Sequence, residues 1–104
     1  QTQGVIMSKK NLFLIAKVLP KDEHFEDAKV ALLDIIEQTL EEDGCIQFEL
    51  YDDKKNLYLY EEWIDESALA QHYEEPYTKV VFDKYQKWLA KPVEVMKMEK
   101  SIKV

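Results

Sequence analysis

The chain contains no arginine: its 14 basic residues are all lysine, against 21 acids, for a net charge of −7. Nucleic acid binding depends on a basic surface, so this balance argues against it. The bidentate guanidinium clamps that commonly hold phosphates and carboxylates are excluded outright. Glycine occurs only twice, at Gly4 and Gly44. No glycine-rich loop can therefore cradle the phosphate of a nucleotide or flavin in the usual way. The single cysteine, Cys45, cannot form an internal disulfide, and near a strand start it reads as a small apolar residue rather than a nucleophile. No apolar run approaches the length of a membrane span.

Two histidines, His24 and His72, complete the short inventory of candidate metal ligands. Neither has a second histidine or a cysteine at ligand spacing, which leaves a zinc or non-haem iron site without support. His24 falls at the start of a helix, where solvent exposure is expected. Residues 1–6, preceding Met7, read as a leader or vector remnant, and 7–104 as a single domain, the size of one core. A cytoplasmic location is the default expectation.

What is present is a clear order of elements. Leu12–Leu19 alternate as a first strand that stops at Pro20. A helix starts at Asp22, carries Phe25, Ala28, Leu32, Ile35 and Thr39 on one face, and ends near Leu40. Glu41, Glu42 and Asp43 follow at its C-terminus, where the dipole disfavours acids. They read as a solvated turn closed by Gly44, with a calcium site as a remote alternative. Cys45–Asp52 and Leu57–Ile64 predict a hairpin, Glu66–Tyr73 a short helix, and Pro76 opens a longer one. Pro92 ends that helix, and Val93–Lys100 form the last strand.

The order β-α-β-β-α-α-β predicts an α+β, ferredoxin-like fold with an antiparallel four-stranded sheet. Helices can cover only one face of such a sheet. Yet apolar residues fall on both: Leu14 and Ala16 against Phe13 and Ile15, Ile46 and Phe48 against Cys45 and Tyr51, Val95 against Met96 and Met98. A second copy packed on the open face is the most economical cover, and a homodimer is expected.

The most informative stretch is 57–82, LYLYEEWIDESALAQHYEEPYTKVVF. Leu57, Leu59, Glu61 and Trp63 share one face of a strand. Asp65 stands at a helix N-cap, and Ala68, Leu69 and His72 then fall at helical spacing, so the imidazole points toward the sheet. An indole and an ionisable ring are aimed into one interior space. His72 is expected to be the only inward group titrating near neutrality.

The segments LFLIAKVLP (12–20), EEDGC (41–45), LYEEW (59–63), ALAQH (68–72) and PYTKVVF (76–82) together resemble the antibiotic biosynthesis monooxygenase family. The resemblance runs over about 11–100. It implies face-to-face dimers forming an α+β barrel, and cofactor-independent oxygenation of a small electron-rich phenol or hydroquinone in an aromatic pocket. His72 would then be the base, Tyr77 or Tyr60 would hold a substrate oxygen, and Trp63 would stack on the ring. Glu61 and Phe82 would complete the lining. Where the haem-degrading branch of the superfamily carries its iron-ligating histidine, this chain has Phe82, so neither haem nor another cofactor is expected. Tyr77 stands where a second histidine often follows the proline.

The residues alone permit such chemistry without requiring it. An electron-rich phenol needs a base near neutral pH, donors for the developing oxyanion and a dry cavity. A lone histidine on an apolar helix face can equally be a satisfied core residue, and Glu61 can pair with a lysine. Two other classes stay open. One is an isomerase acting on lactones or sugars, for which the lack of arginine counts against phosphorylated substrates. The other is a non-enzymatic ligand-binding dimer.

Overall fold

The computed structural model describes residues 10–103, and the 1–6 segment read as a leader lies outside them. The first strand, β1 (Leu12–Val18), is followed by a 3-10 turn at Asp22–His24 and by helices α1 (Phe25–Leu33) and α2 (Ile36–Leu40). The hairpin strands β2 (Cys45–Asp52) and β3 (Leu57–Trp63) come next, then α3 (Glu66–Glu74), α4 (Pro76–Trp88) and β4 (Glu94–Met98). All strand pairs are antiparallel, in the order β2-β3-β1-β4. This is the expected ferredoxin-like α+β arrangement.

Period-2 alternation sets the two faces of the sheet. Leu14, Ala16 and Val18 pair with Glu61, Leu59 and Leu57 across β1 and β3, and all six are buried under the helices. Phe13, Ile15, Tyr58 and Tyr60 occupy the other side and keep partial exposure. No helix among the described residues is long and apolar enough to cross a membrane.

Three details depart from the sequence reading. The first helix is two helices, because the Ile35 N–H bonds the Leu32 carbonyl, an i−3 contact that tightens the turn. The Thr39 hydroxyl then takes the Ile35 carbonyl at 2.7 Å, a back-bond that favours bending. In β2 the register shifts between Cys45 and Gln47. That bulge sets Cys45 opposite Trp63, on the same face as Phe48 rather than opposite it, and turns Ile46 outward. The last strand is shorter than expected, and as an edge strand it is exposed throughout.

Local signals position the helices that matter for the site. The Asp65 carboxylate caps α3 by accepting the Ala68 N–H at 2.8 Å. Pro76 occupies the first turn of α4, where its missing N–H costs nothing. Gly44 has φ 89°, and a Cβ there would meet the Ala68 Cβ at 2.7 Å and the Ile64 Cγ1 at 2.9 Å. Only glycine allows this approach. It brings the turn after α2, which carries Glu42, down against the start of α3, which carries His72.

Candidate active site

An apolar cavity of about 140 Å³ lies between the helix-facing side of the sheet and α4. Ala16, Leu59 and Val95 line it from the sheet, and Val81 and Tyr85 from the helix. Its mouth is at the seam of α4 and β4, where Phe82 and Val95 are 41% and 45% exposed. Three buried polar side chains reach into this lining: Glu61, His72 and Thr78.

His72 is held from behind. Its Nδ1 lies 2.7 Å from Glu42 Oε2, a carboxylate 30 residues earlier in the chain. The two side chains are 4% and 8% exposed. The Tyr77 hydroxyl donates to the same carboxylate oxygen, and its second contact is the Gln38 carbonyl at 3.3 Å. A carboxylate can only accept from Nδ1, so this contact sets the tautomer with the proton on Nδ1 and leaves Nε2 as the basic nitrogen. The rings of Trp63 and Phe48 pack against the imidazole at centroid distances of 5.0 and 5.4 Å. Together they restrict its orientation.

Glu61 has a different environment. It is nearly buried, and burial pushes its carboxyl up to about 7, with the negative charge of Glu42 adding to the effect. The Trp63 Nε1–H donates to Glu61 Oε1 at 2.9 Å and pulls the other way, but burial wins. The cavity therefore contains a carboxyl able to give or take a proton near neutral pH. This corrects the expectation that no inward group other than His72 titrates in that range. Burial likewise raises the Tyr73 phenol to about 12, and it raises Tyr85 as well. Tyr77 is raised by burial and by its bond to Glu42. All three phenols stay protonated at neutral pH. Burial, with Glu42 and Glu61 adding, raises Cys45 to about 12, which removes it as a thiolate nucleophile.

The structure brings together some of the sequence-predicted residues and separates others. His72, Glu61 and Phe82 line the cavity. Trp63 is fully buried against His72 and Glu61 and is not part of the cavity lining, so it offers no face there for the expected stacking on a ring. Tyr77 is likewise absent from the lining, and its hydroxyl donates to Glu42 in place of the expected substrate oxygen. Tyr60 alternates with Leu59 and Glu61 and so points to the opposite side of the sheet, away from the cavity.

Glu42, read as part of a solvated turn, is instead the buried partner of His72. Thr78 and Tyr73 escaped the sequence reading too. The one available signal for Glu42 was an acid at a helix C-terminus, where the dipole opposes it. Among the described residues, no group of three His, Cys, Asp or Glu side chains could hold a metal ion.

A split antiparallel sheet covered by helices on one face, with an apolar cavity carrying one histidine and one protonatable carboxyl, defines a ferredoxin-like α+β domain with a small-molecule-sized interior. The sequence profile of the antibiotic biosynthesis monooxygenase family matches residues 11–84, and the chain belongs to that family. Curated protein sequences give no significant match. Among solved structures, Rv0793 from Mycobacterium tuberculosis is 25% identical with a TM-score of 0.83, over 89% of this chain and 97% of that one. A conserved protein from Methanosarcina mazei is 29% identical with a TM-score of 0.81, over 89% and 95% of the two chains. PA3566 from Pseudomonas aeruginosa, at 23% identity, shares the fold with a TM-score of 0.84, over 89% of this chain and 96% of that one.

Proposed function

We propose that this protein is a cofactor-independent monooxygenase that oxidises a small electron-rich phenol or hydroquinone with dioxygen. The observation that carries the reading is the buried Glu42–His72 pair, which leaves His72 Nε2 as a base on an apolar cavity. Family membership supports the reaction class.

With hydroquinone, His72 takes a phenolic proton and the phenolate gives one electron to dioxygen. Superoxide and the ring radical then combine, forming a C–O bond at the carbon beside the oxygen. The O–O bond of that hydroperoxide breaks as the ring C–H proton leaves, expelling water and leaving a new carbonyl. Hydroquinone and dioxygen thus become hydroxybenzoquinone and water, the substrate supplying all four electrons. Glu61, with a carboxyl titrating at about 7, supplies a proton to the departing oxygen.

Oxygen-electrode assays with hydroquinone test the reading. The wild type consumes oxygen, and His72→Ala slows uptake about a hundredfold or more while remaining folded. A folded His72→Ala protein with undiminished uptake overturns His72 as the base. Proton exchange at a substrate carbon without oxygen uptake assigns the site to an isomerase instead, and ligand binding without any turnover to a binder.

The open sheet face supports a homodimer as part of the same proposal. Phe13, Ile15, Tyr58 and Tyr60 lie there beside Met96 and Met98, which are exposed in the single chain. A second copy is the cover of matching chemistry. Light scattering after gel filtration gives a dimer mass, and a monodisperse monomer at low micromolar concentration rules this packing out.

A further inference from the structure

Two buried threonines in this chain behave differently. Thr39 takes the ordinary course for a hydroxyl in a helix and bonds the carbonyl four residues back, Ile35, at 2.7 Å. Thr78 is 2% exposed, and its Oγ1 has no hydrogen-bond partner among the described residues. The reason is its place in the chain. α4 begins at Pro76 and the preceding Glu75 is extended, with ψ 137°, so the residue four behind Thr78, Glu74, closes α3 and is not part of the α4 ladder. Its backbone N–H is satisfied by the Glu75 carbonyl at 3.0 Å, whereas the side chain is left facing the cavity it lines. A buried hydroxyl without a partner is costly, and this one sits on the wall of a cavity.

The cavity itself limits what that partner can be. Its volume of about 140 Å³ is close to that of an engineered apolar cavity known to admit one benzene ring. Among the described residues, the walls contain no lysine, and Glu61 supplies the only carboxyl. An anionic ligand would find the one imidazole there already held by Glu42, and a carboxylate once Glu61 ionises.

We propose that the Thr78 hydroxyl is the hydrogen-bonding anchor for an uncharged, single-ring phenol, and that the cavity excludes fused-ring and anionic analogues. The Thr78 hydroxyl donates a hydrogen bond to the ligand oxygen, or its Oγ1 accepts one from the ligand O–H, while the apolar walls take the ring. The ligand oxygen is thereby fixed on the wall formed by α4. This rests on the cavity being the substrate site, and narrows the substrate to one ring.

Binding measured anaerobically, by calorimetry or by shifts of methyl resonances, tests the assignment apart from turnover. The probes are phenol, toluene, 1-naphthol and 4-hydroxybenzoate, offered to the wild type, Thr78→Val and Thr78→Ser. Wild type is expected to bind phenol about tenfold more tightly than toluene, the ordinary consequence of satisfying a buried hydroxyl. Thr78→Val abolishes that preference without weakening toluene, and Thr78→Ser retains it. Naphthol, despite its larger apolar surface, binds more weakly than phenol, and 4-hydroxybenzoate more weakly still. Thr78→Val should melt at or above the wild-type temperature, since it replaces an unpaired hydroxyl with a methyl.

Unchanged phenol affinity in Thr78→Val, naphthol binding tighter than phenol, or no phenol binding at millimolar concentration overturns the assignment. Phenol binding through Thr78 without any oxygen uptake from hydroquinone leaves the anchor standing and removes the oxygenase reading. Hydroquinone turnover with an unchanged KM in Thr78→Val does the reverse.

Discussion

The two histidines of this chain form nearly the same contact in opposite surroundings. His24 Nδ1 lies 2.9 Å from Asp27 Oδ2, three residues away, with the two side chains 21% and 55% exposed. His72 Nδ1 lies 2.7 Å from Glu42 Oε2, 30 residues away, with both side chains buried. Distance alone does not separate them. At His24 water screens the pair and can replace either partner, so the contact contributes little. At His72 neither group has water as an alternative, and the loss of one leaves the other stranded in a low-dielectric interior. The contact at the surface is incidental to one helix turn; the buried one joins the turn after α2 to α3 and orients a ring on a cavity.

Substituting each ring in turn gives the largest expected contrast. His72→Ala should lower hydroquinone-dependent oxygen uptake by roughly two to four orders of magnitude, and His24→Ala should leave it at the wild-type rate. Equal losses from the two would show that the assay reports something other than the cavity.

The pH dependence of folding extends the comparison to the carboxyl of the cavity. Burial raises the Glu61 carboxyl from its usual 4.5 to about 7. Below pH 4.5 it is protonated in both folded and unfolded chains, and its burial carries no ionisation penalty. As pH rises between 4.5 and about 7 only the unfolded chain ionises, so stability falls through that window and levels off above it. The loss is on the order of 3 kcal/mol in urea unfolding. Glu61→Gln should flatten the profile; a variant with an undiminished slope would place the titration elsewhere.

The carboxylate partners come next. Glu42→Gln should reduce kcat about tenfold with little change in KM, because the ring loses its charged acceptor and the orientation that goes with it. Glu42→Asp, shorter but still charged, should recover part of the loss. Asp27→Asn should alter neither kinetic constant. A KM effect in Glu42→Gln would mean that this carboxylate contacts substrate rather than the histidine.

The smallest effects sharpen the boundary. Trp63→Phe removes the Nε1–H that favours the ionised form of Glu61, so the stability-loss window should extend to higher pH. Asp27→Asn should change stability by less than about 0.5 kcal/mol, as expected for an exposed pair. A larger cost would mean that the helix start depends on it.

Short-range features were readable because each is decided by neighbours in the chain. The alternation of Leu57, Leu59, Glu61 and Trp63 assigns the buried face of β3 by strand geometry alone, and it places Tyr60 on the other face by the same parity. Asp65 and Pro76 mark helix starts because a cap accepts a nearby N–H and proline lacks one. The spacing from Leu69 to His72 turns the imidazole inward. The bulge between Cys45 and Gln47 was not readable, since an extra residue in one strand is decided by what its partner strand offers.

What the sequence by itself determined is the order of elements, the helix-covered face of the sheet and the inward histidine, all consequences of 2.0- and 3.6-residue periodicity. Only the tertiary structure decided the chemistry of the cavity. Glu42 reaches His72 across 30 residues because Gly44 lets its turn lie against Ala68. Glu61 is raised toward neutrality by the bodies packed over it, and Thr78, in the first turn of α4, has no hydroxyl partner among the described residues. Desolvation and hydrogen-bond satisfaction depend on which groups meet in three dimensions, and no local pattern along the chain encodes that meeting.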